Sequence, residues 1–175
     1  KKIKFLFMTA LSLAIFTACS SDDDNPDPVN EEEVITTMTV TLVPQGGGTS
    51  LTLLSRDLDG DGPNPPEVSV SGPLSANTSY NGTIVLLNET ETPAENITEE
   101  VEEEDDEHQF FFDIAGGLNA TTGYLNFDGD GNPLGTQFNV LAGDASAGTL
   151  TVTLRHEPKK PNDGSLADAG GETDI

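Results

Sequence analysis

Three sets of side chains in this sequence have types and spacings that could do chemistry. Asp57-Leu58-Asp59-Gly60-Asp61-Gly62 and Asn126-Phe127-Asp128-Gly129-Asp130-Gly131 share the pattern [DN]-x-D-G-D-G, with oxygen ligands at alternate positions and glycine where the chain must turn. Calcium takes hard oxygen ligands on such tight loops, so Asp57, Asp59, Asp61, Asn126, Asp128 and Asp130 are candidate calcium ligands. Neither loop is a complete EF-hand. Counting twelve positions from Asp57 reaches Val68 and from Asn126 reaches Gln137, so the bidentate glutamate is missing from both. Asp-Gly pairs also make plain hairpin turns, and the second loop fits that role better than the first. The second set is His108 and His156. Each shares strand parity with apolar residues, Phe110, Phe112 and Ile114 for one and Leu150, Val152 and Leu154 for the other. If their strands pair antiparallel, the two imidazoles meet at one rim with Glu107 and Glu157 nearby, where a transition metal could bind. The plainer expectation is that the rings cap the core and bond to backbone.

The third set is a single residue, Cys19, the only cysteine in the chain. Ahead of it, Lys1, Lys2 and Lys4 form a basic stretch and Phe5 to Phe16 an apolar one, followed by Thr17 and Ala18. That is the three-part pattern of an export signal, with an apolar run shorter than the ~20 residues needed to span a bilayer. Small residues directly before a lone cysteine resemble the lipobox of bacterial lipoproteins, in which that cysteine becomes the acylated first residue. Phe16 stands where such boxes usually carry leucine. Ser20-Ser21-Asp22-Asp23-Asp24 resembles the acidic export signal that follows the cysteine in Bacteroidota surface lipoproteins. The TSYNGTIVLLNE, EEDDEHQFFF and LTVTLRHEPKK segments extend the resemblance to a set of small lipoproteins of that group, some described as type 1 periplasmic binding folds. The resemblance implies an outer-membrane, cell-surface location and brings no activity with it.

Charge narrows the partners. The chain carries 31 acidic and 7 basic residues, a formal net charge of −24. Past the leader the basic residues are Arg56, Arg155, Lys159 and Lys160, so nothing clusters to neutralise phosphates and nucleic acid is excluded as a partner. Self-repulsion of this size favours bound cations or a salty medium.

The elements that must position these groups follow from hydrophobic period. Residues 1–18 read as the leader. Residues 19–33 read as the lipidated cysteine and an acidic, disordered tether; its 14 residues from Ser20 to Glu33 would span ~20 Å. From Val34 the pattern alternates. Strand-like runs recur around Met38 to Leu42, Leu51 and Leu53, Val68 and Val70, Ile84 and Leu86, Phe110 to Ile114, Leu125 and Phe127, Phe138 and Val140, and Leu150 to Leu154, separated by Gly, Pro, Asn and Asp. No helical period stands out, and the acidic run Glu99 to Glu107 reads as a solvated loop. The expectation for 34–175 is an all-β domain, an antiparallel β-sandwich of immunoglobulin-like or transthyretin-like kind. A type 1 periplasmic binding fold would instead need long helices around a parallel sheet. The closing AGGETDI reads as a turn followed by the start of a strand, which suggests truncation and an unpaired sheet edge.

Catalytic motifs are missing: there is no nucleophile elbow, P-loop or dinucleotide fingerprint. The sequence therefore predicts a lipid-anchored surface module, not an enzyme, that serves an outer-membrane assembly by presenting loops to a protein or a glycan. A calcium-binding structural surface protein without a specific partner is the alternative, and a glycan-acting enzyme the third reading.

Overall fold

The computed structural model describes residues 33–60 and 62–175. The leader, Cys19 and the export signal Ser20 to Asp24 lie outside the described residues, as does Asp61. The elements in chain order are β1 (Thr37–Pro44), β2 (Leu51–Arg56), β3 (Glu67–Val70), β4 (Ser79–Asn88), β5 (Glu95–Asn96), α1 (Ile97–Glu103), β6 (His108–Ala115), β7 (Ala120–Tyr124), β8 (Gln137–Ala142), β9 (Thr149–His156), α2 (Leu166–Ala169) and β10 (Glu172–Thr173).

They form an antiparallel β-sandwich. A seven-stranded sheet runs β3-β2-β1-β4-β8-β7, with β5 paired to β4, and a three-stranded sheet runs β10-β9-β6. Every strand pairing among the described residues is antiparallel. That arrangement has no place for the parallel sheet of a type 1 periplasmic binding fold. No helix among the described residues is long and apolar enough to cross a membrane.

Alternation explains the core. Met38, Val40 and Leu42 of β1, Tyr80, Ile84 and Leu86 of β4, and Phe138 and Val140 of β8 all project to the inner face and are buried. Phe110 and Leu154 meet them from the small sheet. Gly82 sits opposite Phe138 in the β4–β8 register, and the Phe138 ring occupies the space that a side chain at Gly82 would need. Phe138 also stacks on Phe112 across the interface, with ring centroids 4.2 Å apart. Burying side chains of this size contributes ~1.5–3 kcal/mol each and drives the two sheets together.

Three local expectations change. The first part of the acidic run Glu99 to Glu107 belongs to the short helix α1, because Ile97 and Val101, four residues apart, share one face and are buried against the sheet. Thr98 joins them, its hydroxyl accepting a 2.8 Å hydrogen bond from Leu86 N–H. The glutamates take the outer face. The strand expected at Leu125 and Phe127 lies earlier, as β7; Phe127 makes only an isolated bridge with Pro133 and is exposed. Tyr124 ends β7 by donating its hydroxyl to the Phe110 carbonyl at 2.8 Å, and the chain then turns into the Asn126 loop. Val68 and Val70 do form a strand, yet on this edge of the large sheet they are 70% and 59% exposed.

Candidate metal centre

His108 and His156 are opposite one another in the β6–β9 register. Glu157 N–H donates to the Glu107 carbonyl at 2.7 Å, so the neighbouring pair, His108 and His156, is the non-hydrogen-bonded kind in which side chains approach most closely. Their ring centroids are 4.8 Å apart. Both rings are buried, as the parity of Phe110 and Leu154 requires. The antiparallel pairing that the sequence left conditional is therefore the one adopted.

Two carboxylates complete the cluster. Glu33 Oε1 lies 2.8 Å from His108 Nε2, and Glu33 Oε2 lies 3.4 Å from His156 Nδ1. Asp174 Oδ1 is 4.0 Å from His156 Nδ1. The side chains of Glu33 and Asp174 are each 2% exposed. One ligand atom from each of Glu33, His108, His156 and Asp174 can be chosen so that all lie within 4.8 Å of one another. Glu107 stands at the rim, its Oε2 3.9 Å from His156 Nε2. Glu107, His156 and Glu157 form a second, more exposed group around the same histidine.

The tautomer of His108 follows from its other nitrogen. Nδ1 is 3.1 Å from the Glu104 carbonyl oxygen. A carbonyl can only accept, so Nδ1 carries a proton and Nε2 is the nitrogen turned toward Glu33. Nε2 and Glu33 Oε1 lie 2.8 Å apart in a buried site, an ion pair when the ring is protonated, and His108 Nε2 and Glu33 Oε2 have no aligned hydrogen bond. A buried carboxylate calls for positive charge beside it, which a bound cation or an imidazolium supplies. Glu104 holds His108 as outer-shell partners hold metal-ligating imidazoles, with one nitrogen fixed on a carbonyl and the other directed inward.

Four separate segments converge here. His108 opens β6 and His156 ends β9. Glu33, read from the sequence as the last residue of the tether, is instead packed inside the folded unit that spans Glu32–Ile175. Asp174 arrives through α2 and the Gly170-Gly171 turn. Gly171 has φ +71, and a side chain there would collide with the His156 carbonyl, so glycine is needed to bring β10 back along β9.

The two acidic loops are arranged otherwise. Asp57 Oδ1 accepts from Asp59 N–H at 3.2 Å, and Asp59 Oδ2 accepts from Asn64 Nδ2 at 2.6 Å and from Asn64 N–H at 3.3 Å. The Asn64 side chain holds the Asp59 carboxyl below its ordinary range. In the second loop Asn126 Oδ1 accepts from Gly135 N–H and Gln137 N–H, each at 3.0 Å. Asp128 is buried; its Oδ1 accepts from Asp130 N–H at 3.0 Å and Asn132 N–H at 2.7 Å, and its Oδ2 pairs with Lys160 Nζ at 3.3 Å. Burial pushes the Asp128 carboxyl up, but the Asn132 hydrogen bonds and the Lys160 ammonium outweigh it and hold the group below its ordinary range. Asp130 is exposed. Among the described residues these carboxylates do not gather in threes, and those of Asp57, Asp59 and Asp128 accept hydrogen bonds from backbone N–H groups within their own turns.

Glu33 and Asp174 are the site residues that sequence reasoning did not single out. Neither sits in a recognisable spacing with the histidines, and only the approach of the first and last described segments reveals them. Comparison with family models, with curated proteins and with solved structures found no match to this chain.

Proposed function

We propose that this chain is a lipid-anchored surface module whose sandwich is held closed by one divalent transition-metal ion, bound by Glu33, His108, His156 and Asp174. The observation that carries this is the buried cluster itself, in which Glu33, His108, His156 and Asp174 each offer one ligand atom and all four lie within 4.8 Å of one another. Two carboxylates balance a divalent charge, so the loaded centre is neutral in its low-dielectric surroundings. Zinc suits the donor set best. Its tetrahedral sites have bonds of ~2.0–2.2 Å, which place ligand atoms ~3.3–3.5 Å apart. The separations of 2.8, 3.4 and 4.0 Å bracket that value. Calcium, which takes six to eight oxygens, suits a site with two imidazoles poorly.

Four protein ligands, all buried, leave no open coordination position, the character of a structural centre and not of a catalytic one. Among the functions that the sequence allowed, this favours a cation-binding structural role, with a borderline metal at the histidines in place of calcium at the acidic loops. The membrane anchor rests on the leader and Cys19. Cys19→Ser should move the protein from the membrane to the soluble fraction, and continued acylation and membrane retention would overturn the anchor.

Titration calorimetry tests the metal. The metal-free chain should take up one equivalent of zinc, with no comparable binding of calcium, and His108→Ala should abolish the zinc isotherm. Zinc binding undiminished in His108→Ala would overturn the assignment.

A further inference from the structure

His156 belongs to two groups of ligand atoms at once. Its Nδ1 lies 3.4 Å from Glu33 Oε2 and 4.0 Å from Asp174 Oδ1, while its Nε2 lies 3.9 Å from Glu107 Oε2. Glu157, the next residue, completes the outer group, in which one ligand atom from each of Glu107, His156 and Glu157 lies within 4.8 Å of the others. The backbone arranges this. Glu157 N–H donates to the Glu107 carbonyl at 2.7 Å, which fastens the start of β6 to the end of β9, and Glu157 has φ +47, a conformation uncommon outside glycine. An extended Glu157 would send its side chain to the face opposite His156, because side chains alternate along a strand. The left-handed turn breaks that alternation and leaves the carboxylate beside the ring.

The two groups differ in exposure. Glu33, His108 and Asp174 are buried in the inner one, where Glu33 Oε2 and His108 Nε2 have no aligned hydrogen bond. In the outer one the Glu107 side chain is 43% exposed, and Glu157 is exposed. A hydrated divalent cation has to exchange water for protein ligands before it enters the buried group, so that group needs an entry path. Negative charge gathers around this end of the fold. Burial first, then the charges of Glu33, Glu104 and Glu95, push the Glu100 carboxyl above its ordinary range, so α1 lies within electrostatic reach of Glu33. Surfaces lined by one sign of charge raise the local concentration of the opposite ion.

We propose that Glu107, Nε2 of His156 and Glu157 form a divalent-cation site at the rim that loads the buried centre. The inference rests on the proposed centre and adds its route of entry. The ion exchanges water for the two carboxylates and Nε2, then passes inward to Glu33, Asp174, His108 and Nδ1 of the same ring. A neutral imidazole offers one lone pair, so rim and centre use His156 in turn, and its proton moves from Nδ1 to Nε2 as the ion moves in. With the centre filled, Nε2–H faces Glu107, which becomes an outer-shell carboxylate. The rim is thus a transient station, and the chain holds one ion at equilibrium.

Stopped-flow zinc uptake by the metal-free chain, read against a chromophoric chelator, tests the route. Glu157→Gln is the informative variant, because Glu107 also faces the loaded ring; Asp113→Asn, exposed on the same strand as His108, removes an equal charge away from the rim. Glu157→Gln should slow uptake and release alike, each about tenfold, and Asp113→Asn should slow neither. The dissociation constant from calorimetry should stay that of the wild type, since a station on the path changes both rates and neither end state. Uptake by Glu157→Gln as fast as by Asp113→Asn would overturn the rim site while leaving the centre standing. Slower uptake with unchanged release would also overturn it, because Glu157 would then act in the loaded state. A wild-type chain that takes up no zinc would overturn the centre and the rim together.

Discussion

Replacing Glu33 with glutamine should remove the stabilisation conferred by zinc while leaving the metal-free fold intact. The geometry makes this substitution informative. Glutamine keeps the volume of the buried side chain. With His108 Nδ1 turned to the Glu104 carbonyl, the glutamine amide can donate to Nε2 of a neutral ring across the 2.8 Å now held by Glu33 Oε1. The metal-free variant should therefore melt no lower than the metal-free wild type. In the wild type, zinc free at a hundred times its dissociation constant should add about 2.7 kcal/mol by mass action. For a folded unit spanning Glu32–Ile175 this raises Tm by about 8 °C, taking about 3 °C per kcal/mol. Melting followed by circular dichroism, with EDTA in one arm and buffered zinc in the other, reads both numbers. The wild type should show the rise and Glu33→Gln should show almost none. No zinc effect in the wild type, or an undiminished one in Glu33→Gln, would refute the reasoning. A calcium effect as large as that of zinc would return attention to the Asp57 and Asn126 loops.

Other consequences follow from the packing and the charges. Gly82→Ala places a Cβ 2.5 Å from the Phe138 ring, and urea denaturation should show a loss of ~1–3 kcal/mol as the ring is forced aside. Lys160→Met leaves the buried Asp128 carboxylate without its cation and the Asp105 carbonyl without its donor, costing ~3 kcal/mol. Adding Asp128→Asn should recover part of that loss in the same assay. Glu89 accepts from Arg56 at 2.6 and 3.0 Å and from Thr37 at 2.6 Å, and these bonds, the Arg56 ones foremost, lower its carboxyl to about 2. A carboxyl depressed in the folded state stabilises fully above its unfolded pKa of ~4.3, and the contribution fades as pH falls from there toward the folded value. Arg56→Gln should flatten the fall in Tm across that window, and an unchanged pH profile would count against the pairing.

The sandwich was legible because β1, β4, β8 and β9 each bury one face, which imposes period two on Met38-Val40-Leu42 as on Leu150-Val152-Leu154. The same parity made the inward direction of His108 and His156 readable, and their meeting needed only the β6–β9 register. Half of the candidate metal centre was not readable. Glu33 is the last of three adjacent glutamates, and Asp174 follows a two-residue strand; no local pattern separates either from the other acidic residues. Their role exists only once both ends of the fold close on the small sheet. α1 was hidden for a related reason, since its apolar face is just Ile97 and Val101 in a run of glutamates. Around β7 the alternation misled: Leu125 and Phe127 look like a strand but lie past Tyr124, where the chain leaves the sheet. In the acidic loops, Asp59 and Asp128 accept hydrogen bonds from Asn64 and Asn132 five and four residues on, contacts that the [DN]-x-D-G-D-G spacing does not announce.

Zinc K-edge X-ray absorption on the protein loaded with one equivalent tests the central claim most directly. The spectrum should show a four-coordinate ion with nitrogen and oxygen ligands at ~2.0–2.2 Å and the multiple scattering of two imidazoles. A first shell of oxygen alone, or one unchanged by His108→Ala, would contradict it.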